Sequence, residues 1–304
     1  MWKEIKSKYI LIKIFEYLKE KKYLELIKYN KNLQEIFNIT LNNYIHYDDI
    51  EIELIPTDYI TEKNIFINLI DNRSYFHFYF NDNDEEVKEN YIPKKEKIEK
   101  IRVSLNCQIK SFKGLFKECA CLKEIYFIKC NRKDIVDLSE MFEGCSSLIK
   151  LDISRLITDN VTNMSWMFYN CKSLLEINIL NFNTSKVTDM TAMFKNCVLI
   201  KELNLENFNT SKVTNMRGMF FKCESLEQLN LFNFDTSNVE DMRWMFEGCS
   251  SLRELNIYNF NTSKVTDMRW MFEGCSSLTN LDVSSPLING EIDMEFGGPT
   301  LSVK

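Results

Sequence analysis

Thr188-Asp189-Met190-Thr191-Ala192-Met193-Phe194-Lys195-Asn196-Cys197 is followed by Ile200 and by Leu203-Asn204-Leu205. The same phrase returns every 26 residues. Its cysteine alone recurs as Cys119, Cys145, Cys171, Cys197, Cys223, Cys249 and Cys275. A fixed period of this size marks a stacked repeat in which each unit buries its apolar face only against its neighbours. Met190, Met193, Phe194 and Cys197 fall at i, i+3, i+4 and i+7, the spacing of one helical stripe. Thr188 stands where a capping hydroxyl would, as do Thr162, Thr214 and Thr266. The residue before each cysteine is Gly or Asn in most units, for example Gly144, Asn170, Asn196, Gly248 and Gly274, with Lys222 an exception. These residues tolerate a left-handed turn, so the pattern predicts a short helix that ends there. Leu203-Asn204-Leu205 alternates as a half-buried strand does.

The fold expected is α+β. It is a leucine-rich-repeat solenoid with a parallel strand and a short helix per 26-residue coil, preceded by a small helical module and a short antiparallel β segment. About seven coils span 98–304, the antiparallel segment and a linker span 47–97, and the helical module spans 1–46. In the middle segment Ile50, Ile52 and Leu54 alternate with Glu51 and Glu53 as in a strand. Residues 65–70 and 75–80 flank Asp71-Asn72-Arg73-Ser74 as a hairpin would.

Phe-Asn-Thr-Ser-Lys-Val-Thr-Asp-Met, followed by Met-Phe and Cys, occurs around 182–205 and again around 260–283. This phrase resembles the BspA-like leucine-rich repeat. The resemblance implies a platform for protein recognition or adhesion, without catalysis. Ile14-Phe15-Glu16-Tyr17-Leu18, in the string from Tyr9 to Leu18, resembles an F-box. That resemblance implies a substrate receptor of a cullin ubiquitin ligase that docks on a Skp1-like linker through Ile10, Ile14, Phe15 and Leu18. The Leu-Pro opening of an F-box is missing, with Ser7-Lys8-Tyr9-Ile10 in its place, and a cap shielding the first coils is the other reading of this segment.

The chain carries a net charge of −6 and 45% hydrophobic residues, which argues for a substantial core and against a nucleic-acid partner. No run of 18 apolar residues predicts a membrane span, and no secretory signal is visible at Met1-Trp2-Lys3-Glu4, so a cytoplasmic protein is expected. The repeat cysteines lie on one stripe and read as buried, reduced thiols rather than disulfides. Cys107, Cys119, Cys121 and Cys130 lack the paired spacing of a zinc site. Only His46 and His77 are present, the eight glycines form no phosphate loop, and no nucleophile phrase stands out. No enzyme activity, metal or cofactor is therefore expected.

What remains is binding of a partner protein. Positions that vary between coils show where to look, because packing does not select them. Leu180, Glu206, Phe232 and Tyr258 form such a column on the open strand face, and its apolar and aromatic members suit contact hot spots. Trp244 and Trp270, beside Arg243 and Arg269, form a rival edge. The biological alternatives are the ligase receptor above and a cell-surface adhesin.

Overall fold

A computed structural model of the chain describes residues 50–58, 64–70, 72–94, 96–105, 109–282 and the strand at 302–303. The chain divides into two compact units, Met1–Asp49 and Ile50–Lys304. The helical module expected over 1–46, with its docking residues Ile10, Ile14, Phe15 and Leu18, lies outside the described residues.

Two sheets organise the second unit. The first is built from β1 (Ile50–Pro56), β2 (Phe76–Phe80), β3 (Glu86–Val87), β4 (Ile101–Leu105), β5 (Leu122–Lys129) and β6 (Lys150–Asp152), in the order β3-β2-β4-β1-β5-β6. All of its pairings are antiparallel except β5–β6, which is parallel with Ile125 opposite Leu151. Ile50, Ile52 and Leu54 point into the core as their alternation requires. The hairpin expected across Asp71-Asn72-Arg73-Ser74 does not form. Asn72 caps a 3-10 turn at Arg73–Tyr75, and β2 pairs with β3 and β4, while residue 65 makes only a bridge to Tyr91.

The second sheet contains β7 (Glu202–Leu203), β8 (Gln228–Asn230), β9 (Glu254–Asn256), β10 (Asn280–Asp282) and β11 (Ser302–Val303), all parallel. Consecutive coils meet in a constant 26-residue register, Leu203 opposite Leu229 and Leu229 opposite Leu255. Leu203, Leu229, Leu255 and Leu281 are buried one above another. The parallel strands expected one per coil thus fall in two sheets, and residues 171–180 contribute no strand between β6 and β7.

The expected helix in each coil is absent. Among the described residues there is no α-helix, which overturns the fold class of strand plus helix per coil. The hydrogen bonds give the reason. In residues 190–197 every second amide leaves the segment: Met190, Ala192, Phe194 and Asn196 donate to the carbonyls of Asn215, Arg217, Met219 and Phe221 in the next coil, at 3.1, 2.8, 2.9 and 2.8 Å. The alternate amides of Met193, Lys195 and Cys197 turn back to the carbonyls of Met190, Ala192 and Phe194 three residues earlier. An α-helix would bond each amide to the fourth residue back. Left-handed backbone at Ala192 (φ 52°) and Asn196 (φ 61°) resets the chain every four residues and produces tandem turns. Both positions repeat down the stack, the first through Glu140, Trp166, Gly218, Trp244 and Trp270 and the second through Gly144, Asn170, Lys222, Gly248 and Gly274. The predicted left-handed stop therefore exists, Lys222 included, but a second one precedes it. Thr188 is no helix cap: its amide and hydroxyl both donate to the Thr162 carbonyl of the preceding coil.

Stacking gives the turn side a continuous core. Phe116, Phe142, Phe168, Phe194, Phe220, Phe246 and Phe272 form one column of near-parallel rings, with centroids 5.4–5.8 Å apart. Met193 and its equivalents pack fully buried beside them. Burial of this kind stabilises by about 25 cal/mol per Å2 of apolar surface, enough for stacked coils to hold a conformation that one coil could not. On the loop side Thr184 and Thr210 are fully buried. Thr184 Oγ1 donates to the Asn209 carbonyl at 3.0 Å and accepts from its amide at 2.7 Å, tying one loop to the next. Asn183 Oδ1 accepts from the amide and hydroxyl of Ser185, as expected of turn chemistry.

Candidate functional site

The strand register aligns the face expected to bind. Asn204, Asn230 and Asn256 each bend the chain just after their strands, where Oδ1 accepts from the amides of Glu206, Phe232 and Tyr258, at 3.1, 3.0 and 3.0 Å. These asparagines are therefore structural: they form a series of side-chain turns, each within its own coil. Asn178 does the same for Leu180, at 3.2 Å. These turns aim the following side chains away from the core. Phe232 is 79% exposed and Tyr258 60%, while Leu180 and Glu206 are also exposed. The predicted column thus comes together on one surface, with the two aromatic members in adjacent coils.

Beside it runs a shallow groove over β8 and β9, lined among others by Glu227, Gln228, Asn230, Arg253, Glu254 and Asn256. A second depression, lined by Glu202, Glu206 and Gln228, continues it over β7. Of the acidic members of this groove the sequence pointed to Glu206 alone, and not to Glu202, Glu227 or Glu254. The 26-residue offset from Glu202 through Gln228 to Glu254 is the signal that places them in one file.

The Trp and Arg residues of the turn edge also come together, mostly with one another. Trp244 and Trp270 stack at 5.6 Å, and the Arg217 guanidinium lies 4.3 Å from the Trp244 ring centre. Arg243 bonds Asp241 and approaches Asp267 at 3.4 Å, and Arg269 bonds Asp267 at 2.6 Å. The hydrogen bond from Arg269 holds the Asp267 carboxyl below the usual carboxylate range. Arg243 and Arg269 are thus paired with carboxylates, and the rings of this edge are half-buried against their neighbours. One element of this edge was missed. Lys195 sits 4.1 Å over Phe221, near Trp166 and Tyr169, and burial lowers its pKa. Tyr169, Lys195 and Phe221 are spaced 26 apart, so the period announced the column.

All nine described cysteines are buried and unpaired. Each repeat thiol from Cys145 to Cys275 donates to a phenylalanine carbonyl of the preceding coil, as Cys197 does to Phe168 at 3.1 Å. Burial pushes the Cys275 and Cys121 thiols up to about 12 and Cys197 higher still. Among the described residues no group of three or more His, Cys, Asp or Glu side chains could hold a metal ion, and no helix is long and apolar enough to cross a membrane.

Fold and surface together define a repeat protein of parallel stacked coils with one patterned open face. The chain belongs to the family described as Mycoplasma protein of unknown function, DUF285, which matches it over residues 110–202 and again over 199–295. No curated protein and no solved structure matches it.

Proposed function

We propose that this chain is a non-enzymatic scaffold that recognises a partner protein through the open strand face. The observation that carries the reading is the exposure of Phe232 (79%) and Tyr258 (60%) in adjacent coils of one column, aimed outward by Asn230 and Asn256. Exposed aromatic side chains next to one another are costly to leave in water and typical of interface anchors. The resemblance of the repeat phrase to BspA-like repeats, a family of recognition platforms, supports the same reading. So does the turn edge, whose Arg and Trp side chains are already engaged with one another. Buried, unpaired thiols suit a reducing compartment, and a cytoplasmic location is part of the proposal.

The test is affinity capture from the native cell, comparing the full chain with a variant carrying Phe232→Ala and Tyr258→Ala. Neither side chain contributes to the core, so the melting temperature should hardly change. Capture of the specific partner should weaken by about 2 kcal/mol or more. Capture equal to that of the wild type, with Trp244 or Arg269 variants weakened instead, would move the interface to the turn edge.

A further inference from the structure

We propose that the partner presents an extended basic segment, with Arg or Lys side chains three residues apart, and that it lies across the strands of this face. The proposal deepens the reading above and rests on it. Glu202 and Glu254 stand in one file on the face, separated by Gln228 in a parallel register, and both are exposed. Among the described residues neither has a cation within ion-pair distance, and Glu206, beside them, has none either. Among the described residues of this face, the cation Lys201 already approaches Glu227 at 4.0 Å, and Arg253 is exposed. The face is therefore acidic, with two exposed aromatic rings alongside, a combination that attracts guanidinium and ammonium groups and repels nucleic acid.

Spacing favours a polyproline-type conformation. Strands in a sheet lie about 4.8 Å apart, so Glu202 and Glu254, two coils apart in one file, are separated by roughly 10 Å along the stack. A polyproline-type segment has three residues per turn and rises about 3.1 Å per residue, which puts side chains i and i+3 on one side about 9 Å apart. A flat β segment offers i and i+2 at about 7 Å, which falls short. Phe232 and Tyr258, in successive coils, would then receive the alkyl stems or guanidinium planes of the basic side chains.

The test uses the full chain and short fluorescent peptides carrying two Arg residues at i,i+2, i,i+3, i,i+4 or i,i+7 in a Gly/Pro/Ser background. Their binding is read by anisotropy at two salt concentrations. The i,i+3 peptide should bind about ten-fold or more tightly than the same peptide with Glu in place of Arg, and less tightly at high salt. A Glu202→Gln, Glu254→Gln variant, altered only at exposed positions, should lose about ten-fold for that peptide and keep its melting temperature. Equal binding of the Arg and Glu peptides, or no loss in the Gln variant, would overturn the proposal. So would preference for i,i+7, which an α-helix would show, or spermine binding as tightly as the peptide. If the basic peptides fail while Phe232→Ala still abolishes capture of the native partner, the face is right and its chemistry wrong. If Phe232→Ala and Tyr258→Ala leave that capture intact, the face itself is wrong.

Discussion

The Cys197 thiol serves two coils at once. Its amide donates to the Phe194 carbonyl of its own coil, and its S–H reaches back to the Phe168 carbonyl, which also accepts the Cys171 amide. Burial disfavours the thiolate, so the folded-state pKa is raised well above the unfolded value of about 8.5. The sign follows directly. Below pH 8.5 both states keep the proton and the contribution is intact; above it the unfolded chain ionises first, so stability falls as pH rises. The loss is about 1.4 kcal/mol per pH unit for each such thiol, up to the folded pKa, about 12 at Cys275. Lysines and tyrosines titrate in the same range, so the clean measurement is a difference. Cys197→Ala should be less stable than the wild type at pH 7, and the gap should narrow above pH 8.5 by roughly that slope. A gap independent of pH up to 10 would contradict a protonated, buried thiol. The apolar setting of the cysteine was legible in its stripe. The acceptor was not, because it belongs to a residue 29 positions earlier and depends on how the coils stack.

At the scale of the element, the segment 190–197 shows how a pattern can be read correctly and still mislead. Spacing of i, i+3, i+4 and i+7 selects one buried face, and both a helix and a run of tandem turns present such a face. What separates them is the backbone at Ala192, where most equivalents carry side chains and only Gly114 and Gly218 signal left-handed geometry. Side-chain periodicity carries no information about where the amides go, and here half of them bond the next coil. The difference is measurable. In a helix interior Ala192→Gly would cost about 1 kcal/mol in propensity, with the lost methyl adding up to about 0.8. At φ 52° the same change relieves left-handed strain of about 1–2 kcal/mol, which offsets those losses. Denaturant unfolding should therefore find Ala192→Gly close to wild type, within about 0.5 kcal/mol. A loss near 2 kcal/mol would restore the helix. Far-UV circular dichroism should show correspondingly weak helical bands.

For the whole molecule the 26-residue period is the organising quantity, and it was the most legible feature of the sequence. It gave the parallel register, the buried columns and the outward column that includes Phe232 and Tyr258. The end arrangements were harder to read. Strand β1 closes the first coil by pairing antiparallel with β5, and β4 and β2 extend that sheet, a long-range ordering that local alternation cannot specify. The break between β6 and β7 was equally hidden, since Leu175-Glu176-Ile177-Asn178-Ile179 keeps the apolar alternation of its neighbours. Because each coil contacts chiefly the ones beside it, stability should be close to a sum over coils and their interfaces. Deleting residues 189–214 removes one full period and joins Thr188 to Asn215, which replaces Asp189 at the bridge position opposite Asn163. The Phe168 ring would then meet Phe220, and the Cys223 thiol the Phe168 carbonyl, so every column closes with one member fewer. The shortened chain should fold cooperatively, with a modestly lower melting temperature. Deleting 189–201 instead shifts every later column by half a period, placing polar residues where the stack buries Phe and Cys, and should abolish cooperative unfolding. Equal behaviour of the two deletions in thermal melts would mean that the register of the stack does not hold this protein together.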